Sequence, residues 1–165
     1  AGGKGPGAGG RMPGMEIIPG RGVALAMIGD HRTRVEERVG RPAPGPAAVR
    51  PAVYDTTPRL VITYASDDTV ELVEIGYSGQ GGEAEASCDG IQLTHRLIDD
   101  VVAELHAKGY TSTPCDIGHD FHAGFSVWSM RVLEAREVDP TAGEDDPRCV
   151  VEGVSVAPYG CFGGE

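Results

Sequence analysis

Aromatic residues are scarce, at 5% of 165 residues. The interior therefore has to be assembled from Val, Leu, Ile and Ala, and the stacked aromatic platform that single-stranded nucleic acids require is not provided for. Lysine is almost absent, occurring only as Lys4 and Lys108. Together with abundant Ala, Gly, Val and Pro, this preference for arginine is what GC-rich coding produces, and it points to a high-GC bacterial source of the actinomycete kind. Long apolar runs are missing too. None approaches the roughly 20 residues that cross a bilayer, and the first residues hold no apolar signal core, so the expectation is a cytoplasmic protein without a membrane partner. Cys88, Cys115, Cys149 and Cys161 form no C-x-x-C pair. They are expected to be reduced, with Cys149 and Cys161 pairing only in an exported protein. The run Gly79-Gln80-Gly81-Gly82 lacks the Lys and Ser or Thr of a phosphate loop.

What the chain does have is negative charge: a formal net charge of −11 and a pI near 4.8. Each phosphate of a nucleic acid backbone needs a cation to neutralise it, so nucleic acid is excluded as an expected partner. An acidic surface keeps a protein soluble and steers it toward basic partners. The length suits one domain, or two small units sharing an interior, able to bury roughly two-thirds of the unfolded surface.

Along the chain, residues 1–15 read as a flexible Gly-rich leader or cloning remnant. A first unit spans 16–77. In it Asp30 is placed to cap a helix with Val35 and Val39 one turn apart, and Gly40 and Pro42 stop that helix. After a Pro- and Ala-rich connector, the alternating runs 60–64 and 70–77 flank the turn residues 65–69, which predicts an antiparallel hairpin. Residues 78–87 read as a polar linker. The second unit, 88–160, restarts with Gly90-Ile91-Gln92-Leu93, which mirrors Gly22-Val23-Ala24-Leu25. It continues into a helix with Leu97, Ile98, Val101, Val102 and Leu105 on one stripe, ended by Gly109. Strands are expected over 125–132 and 148–156, joined by the acidic loop 139–147, and 161–165 is a tail. The expected fold class is α+β: two tandem helix-plus-hairpin units forming a mainly antiparallel sheet, with the helices packed on one face, because a lone helix on a lone hairpin cannot bury its apolar side.

The first helix carries a resemblance. Val39-Gly40-Arg41-Pro42 resembles the Leu-Gly-x-Pro exit of the helix in small bacterial α+β domains of the SmpA/OmlA lipoprotein type, whereas Met27-Ile28-Gly29 departs from their Gly-Met-Thr-like opening. Those lipoproteins reach the envelope through a lipidated cysteine, which this chain lacks, so their location does not carry over. A small acidic chain with tandem units of this type also resembles the immunity proteins of bacterial polymorphic toxin systems. That resemblance implies a non-enzymatic role, in which the protein binds a cognate toxin and covers its active site.

The acidic turns are the candidate partner-binding residues: Asp67, Asp68, Asp99, Asp100, Asp116, Asp120, Glu144, Asp145 and Asp146. Solvated at turns and on a helix face, they are expected to stay ionised, which removes them from general acid catalysis. The densest reactive cluster is Cys115-Asp116-Ile117-Gly118-His119-Asp120-Phe121-His122. Thiolate and imidazole donors at Cys115, His119 and His122 have lone pairs suited to Zn²⁺, so a zinc-binding protein or metal-dependent enzyme is the alternative. Zinc ligand pairs ordinarily come from two separated knuckles, and no second pair lies nearby. A Cys115 nucleophile with His119 or His122 as base is disfavoured, because neighbours in one loop seldom have the required orientation. No catalytic residue and no cofactor is assigned otherwise. Trp128 and Met130 are expected in the core, and His31, His95 and His106 at exposed positions on or beside helices.

Overall fold

The structure, a computed structural model, describes residues 15–43 and 51–162, without the side chains of 161 and 162. Most of the expected leader, residues 44–50 of the connector, the end of the tail and the Cys161 side chain lie outside the described residues. Cys88, Cys115 and Cys149 are free thiols.

Twelve strands and two α-helices follow in the order β1 (Met15–Ile18), β2 (Gly22–Val23), β3 (Ala26–Met27), α1 (Arg32–Val39), β4 (Ala52–Tyr54), β5 (Leu60–Tyr64), β6 (Val70–Gly76), β7 (Ala86–Cys88), β8 (Ile91–Gln92), α2 (Ile98–Ala107), β9 (Ser112–Cys115), β10 (Gly118–Phe121), β11 (Phe125–Trp128) and β12 (Gly153–Val156), counted among the described residues. The class is α+β, but the strands form two sheets rather than one. A five-stranded sheet has the order β3-β2-β1-β7-β8, and a seven-stranded sheet has the order β4-β5-β6-β12-β11-β10-β9. All pairings are antiparallel except β1 with β7. Two sheets arise because the short runs before α1 and α2 pair with each other, Met15 opposite Ala86 and Glu16 opposite Ser87, instead of joining the hairpins.

The helices follow their apolar spacing. In α2, Ile98, Val101, Val102 and Leu105 are buried, while Asp99 and Asp100 occupy the first turn, where the helix dipole favours negative charge. Leu97 departs from the expected stripe. It sits at the N-cap and packs with Leu133, Ala135 and Val150 in a small separate cluster. In α1 only Val35 is fully buried, and the cap is His31, whose ring accepts the Thr33 N–H, not Asp30. Asp30 instead accepts the Met27 N–H and pairs with Arg38 at 2.9 Å.

The seven-stranded sheet is two-sided, as period-2 alternation requires. Leu60, Ile62, Val73, Ile75, Phe121, Phe125, Val127, Val154 and Val156 turn to the main core and are buried. Phe121 and Phe125 stack with ring centroids 4.7 Å apart. Several expected boundaries shift. β11 stops at Trp128, because residues 129–133 turn away and wrap the Glu152 carboxylate. β12 begins only at Gly153, with Cys149 and Val150 making isolated bridges to Glu134 and Leu97. The cluster 115–122, expected as one loop, falls instead in the hairpin β9–β10 at the sheet edge and the turn after it. Met130, expected in the core, is 62% exposed.

The α2 stripe is the largest helical contribution to the core. Leu105→Ala should lower the unfolding free energy in urea by about 2–5 kcal/mol, whereas Asp100→Ala on the opposite side should change it by less than about 0.5 kcal/mol.

Candidate functional site

The outward face of the seven-stranded sheet gathers the side chains that its sequence would not place together. Strand register aligns Val53, Val61, Glu74, Ser155, Ser126, Asp120 and Thr113 in one row across all seven strands. The adjacent row runs Gly76, Gly153, Trp128, Gly118, Cys115. Its glycines leave room for one large ring. The Trp128 indole lies flat over Gly153, where an added Cβ would stand 2.1 Å from a ring carbon. Its Nε1–H donates to Ser155 Oγ at 2.9 Å, and that hydroxyl donates to Glu74 Oε2 at 3.1 Å. One ring face is thus sealed against the sheet, and the indole separates two open grooves.

The first groove, about 640 Å³, lies toward Tyr77, Met130, Val132 and Arg59. The second, about 550 Å³, lies toward Glu74, Asp116, Ile117, Asp120 and Ser126. Trp128 and Met130 line both. Tyr77, Ile117, Met130 and Val132 are all exposed.

Two buried carboxylates shape the walls. Glu152 accepts the N–H groups of Met130 at 2.9 Å and of Val132 and Leu133 at 2.7 Å, which forces the Met130 and Val132 side chains outward. Glu85 accepts the N–H groups of Ser78, Gly79 and Gly81 and the hydroxyls of Ser78 and Thr94, at 2.6–3.0 Å. The stretch 78–87, expected as a linker, is therefore wound about a charge. Burial alone would raise the Glu85 pKa, but these hydrogen bonds outweigh it and hold the carboxyl below its ordinary value of 4.5.

The expected metal ligands do not converge. His119 is on the core-facing side of β10, with Nδ1 buried and unpartnered, and desolvation together with nearby His106 lowers its pKa. Cys115 lies on the outward face, where desolvation and then Asp120 keep its thiol protonated by raising its pKa. Both His122 ring nitrogens meet threonine hydroxyls, of Thr111 at 2.7 Å and of Thr113 at 2.9 Å. Among the described residues, no group of three or more His, Cys, Asp and Glu side chains is arranged to hold a metal ion. The same placement separates Cys115 from a histidine base.

No protein-family model, curated protein or solved structure matches the chain. Its site has to be read from its own residues.

The acidic turns are scattered. Asp67 accepts from Thr69, Asp68 faces Arg32 at 3.5 Å, and Asp99 and Asp100 lie on α2. Asp146, with Asp139, clamps Arg148, and hydrogen bonds from Thr141 and then Arg148 bring Asp139 down to about 2. Glu144 lies 3.7 Å from Arg136, and Asp145 is exposed on the same loop. Asp116 and Asp120 line the second of the two grooves described above. The sequence reading missed Glu74, Trp128, Glu85 and Glu152. The available signals were a charge inside an apolar run, Val150-Val151-Glu152-Gly153-Val154, and the small residues Gly153 and Ser155 that alternate on a strand facing the one tryptophan.

Two outcomes follow from these contacts. Gly153→Ala should lift the indole from the sheet and shift Trp emission to longer wavelength, at a stability cost of about 1–3 kcal/mol. Glu85→Gln turns an amide N–H₂ toward groups that already donate, and should cost about 1–3 kcal/mol near neutral pH. The folded pKa of Glu85 is depressed, so its contribution is present above 4.5 and is lost as pH falls through the folded value. The stability gap between wild type and variant, measured by urea unfolding, should close over that acid range.

Proposed function

We propose that the protein is a non-enzymatic binding factor, that its working surface is the outward face of the seven-stranded sheet, and that its partner is a basic protein of the bacterial toxin kind, neutralised by occlusion. The observation that carries this reading is the gathering of Tyr77, Ile117, Met130 and Val132 around Trp128, beside Glu74, Asp116 and Asp120. Large apolar side chains exposed together around one ring and rimmed by charge are the usual mark of an interface. The Glu85 and Glu152 pegs favour the same reading, since walls held in place before binding reduce the ordering cost of association. Carboxylates on that face oppose nucleic acid phosphates and suit a basic surface.

Tandem duplication belongs to the same proposal. From the middle of the large sheet outward, β6-β5-β4 on one side is matched by β12-β11-β10 on the other, and β1-β2 is matched by β7-β8 in the small sheet. The α1 residue Val35 and the α2 stripe share one core cluster with the inward side chains of the large sheet, which supports helices packed on its inner side.

The test is complex formation with a basic toxin encoded beside the gene, measured by calorimetry. Met130→Asp with Val132→Asp should weaken that complex about ten-fold or more without lowering the melting temperature. No complex at micromolar concentration, or one indifferent to both changes, would sink the proposal.

A further inference from the structure

The second groove gathers three carboxylates with no cation among its described lining residues. Elsewhere on the surface, Asp30, Asp68, Glu104, Glu134, Asp139 and Asp146 are each paired with an arginine. The second groove has Glu74, Asp116 and Asp120 on its walls and neither Arg nor Lys among its described lining residues. Its floor adds a hydroxyl that no side chain engages. Ser126 is 5% exposed, lines the groove, and makes no side-chain hydrogen bond to any described residue. Its Oγ opens on the groove, since His119 Nδ1 is the one enclosed side-chain N or O atom without a partner among the described residues. Ser155, next to it in the row, is already engaged between Trp128 and Glu74.

The row Glu74, Ser155, Ser126, Asp120 sets two carboxylates on either side of two small residues, with Trp128 one position along. Three strand spacings put the two acid backbones roughly 14 Å apart, room for one planar cation and its stem between them. The indole is the best of the aromatic rings for holding a cation on its face. Of the two common biological cations, guanidinium is flat enough to stack on that ring and carries N–H donors enough for both carboxylates and a hydroxyl.

We propose that the second groove is a subsite for an arginine side chain of the partner protein, its guanidinium stacked on the open face of Trp128 and paired with Glu74 and Asp120. This rests on the binding reading above and names the chemistry that the partner must offer there.

Trp128 is the only tryptophan of the chain, so its emission reports on the two grooves that it lines, and the Glu74 and Asp120 variants below assign a response to the second. The intact protein is titrated with Nα-acetyl-arginine amide and, separately, with the neutral isostere Nα-acetyl-citrulline amide at matched concentration and ionic strength. A saturable change in Trp128 emission is expected with the arginine compound, with a dissociation constant at least about ten-fold below that of citrulline. Raising the salt should weaken it. Glu74→Gln and Asp120→Asn, each checked for unchanged melting temperature, should weaken arginine binding several-fold while leaving any citrulline response unchanged. Equal responses to the two compounds, no saturable response to arginine, or arginine binding indifferent to both substitutions would each overturn the assignment. Arginine binding without a toxin complex would remove the toxin reading and keep the subsite, and a toxin complex without arginine binding would do the reverse.

Discussion

The register of β12 between β6 and β11 is the constraint on which the outward face depends. With Val154 opposite Ile75 and Val127, and Val156 opposite Val73 and Phe125, the valines are committed to the core. Gly153 then has to lie beneath Trp128, and Ser155 between Glu74 and Ser126. A slip by one residue would turn both valines to solvent and drive Gly153 and Ser155 inward, so burial on one side enforces the arrangement on the other. The core therefore holds the groove in place without contributing an atom to it.

Buried carboxylates extend that order beyond the strands. Residues 78–81 and 129–133 form no sheet pairing, and their amide hydrogens would otherwise need solvent. Glu85 and Glu152 take up three N–H groups each. A charged acceptor makes each of these bonds stronger than a neutral one, and the charge is tolerable in the interior because it is so fully satisfied. Met130 and Val132 are exposed for this reason: the backbone turns inward toward Glu152, and their side chains are left pointing out. The surface patch is thus the other side of a polar interaction.

Charge was legible in the sequence as a total and much less so as a distribution. Acidic pairs at turns and in the 139–147 loop are candidates for a recognition surface, yet the structure engages several of them within the chain: Asp67 with Thr69, Asp146 with Arg148, and Asp68 with Arg32 from a distant part of the sequence. The first two depend on turn conformations, and the third on tertiary contact, which a linear pattern does not specify. The Cys115 and His119 donors part for a simpler reason: they lie on strands, where register turns His119 to the core side opposite Val127 and leaves Cys115 in the outward row with Gly118 and Trp128.

From the sequence alone came the α+β class, the two amphipathic helices, the hairpin of 60–64 with 70–77, which the structure ends at Gly76, and the acidity, because each is written in local periodicity or in composition. Tertiary structure alone decided that the short runs at Met15 and Ala86 pair to found a second sheet, and that Glu74, Asp120, Ser126 and Trp128 share one outward face. Those neighbours come from strands dispersed along the chain, and what unites them is long-range pairing and burial, for which no local pattern stands proxy.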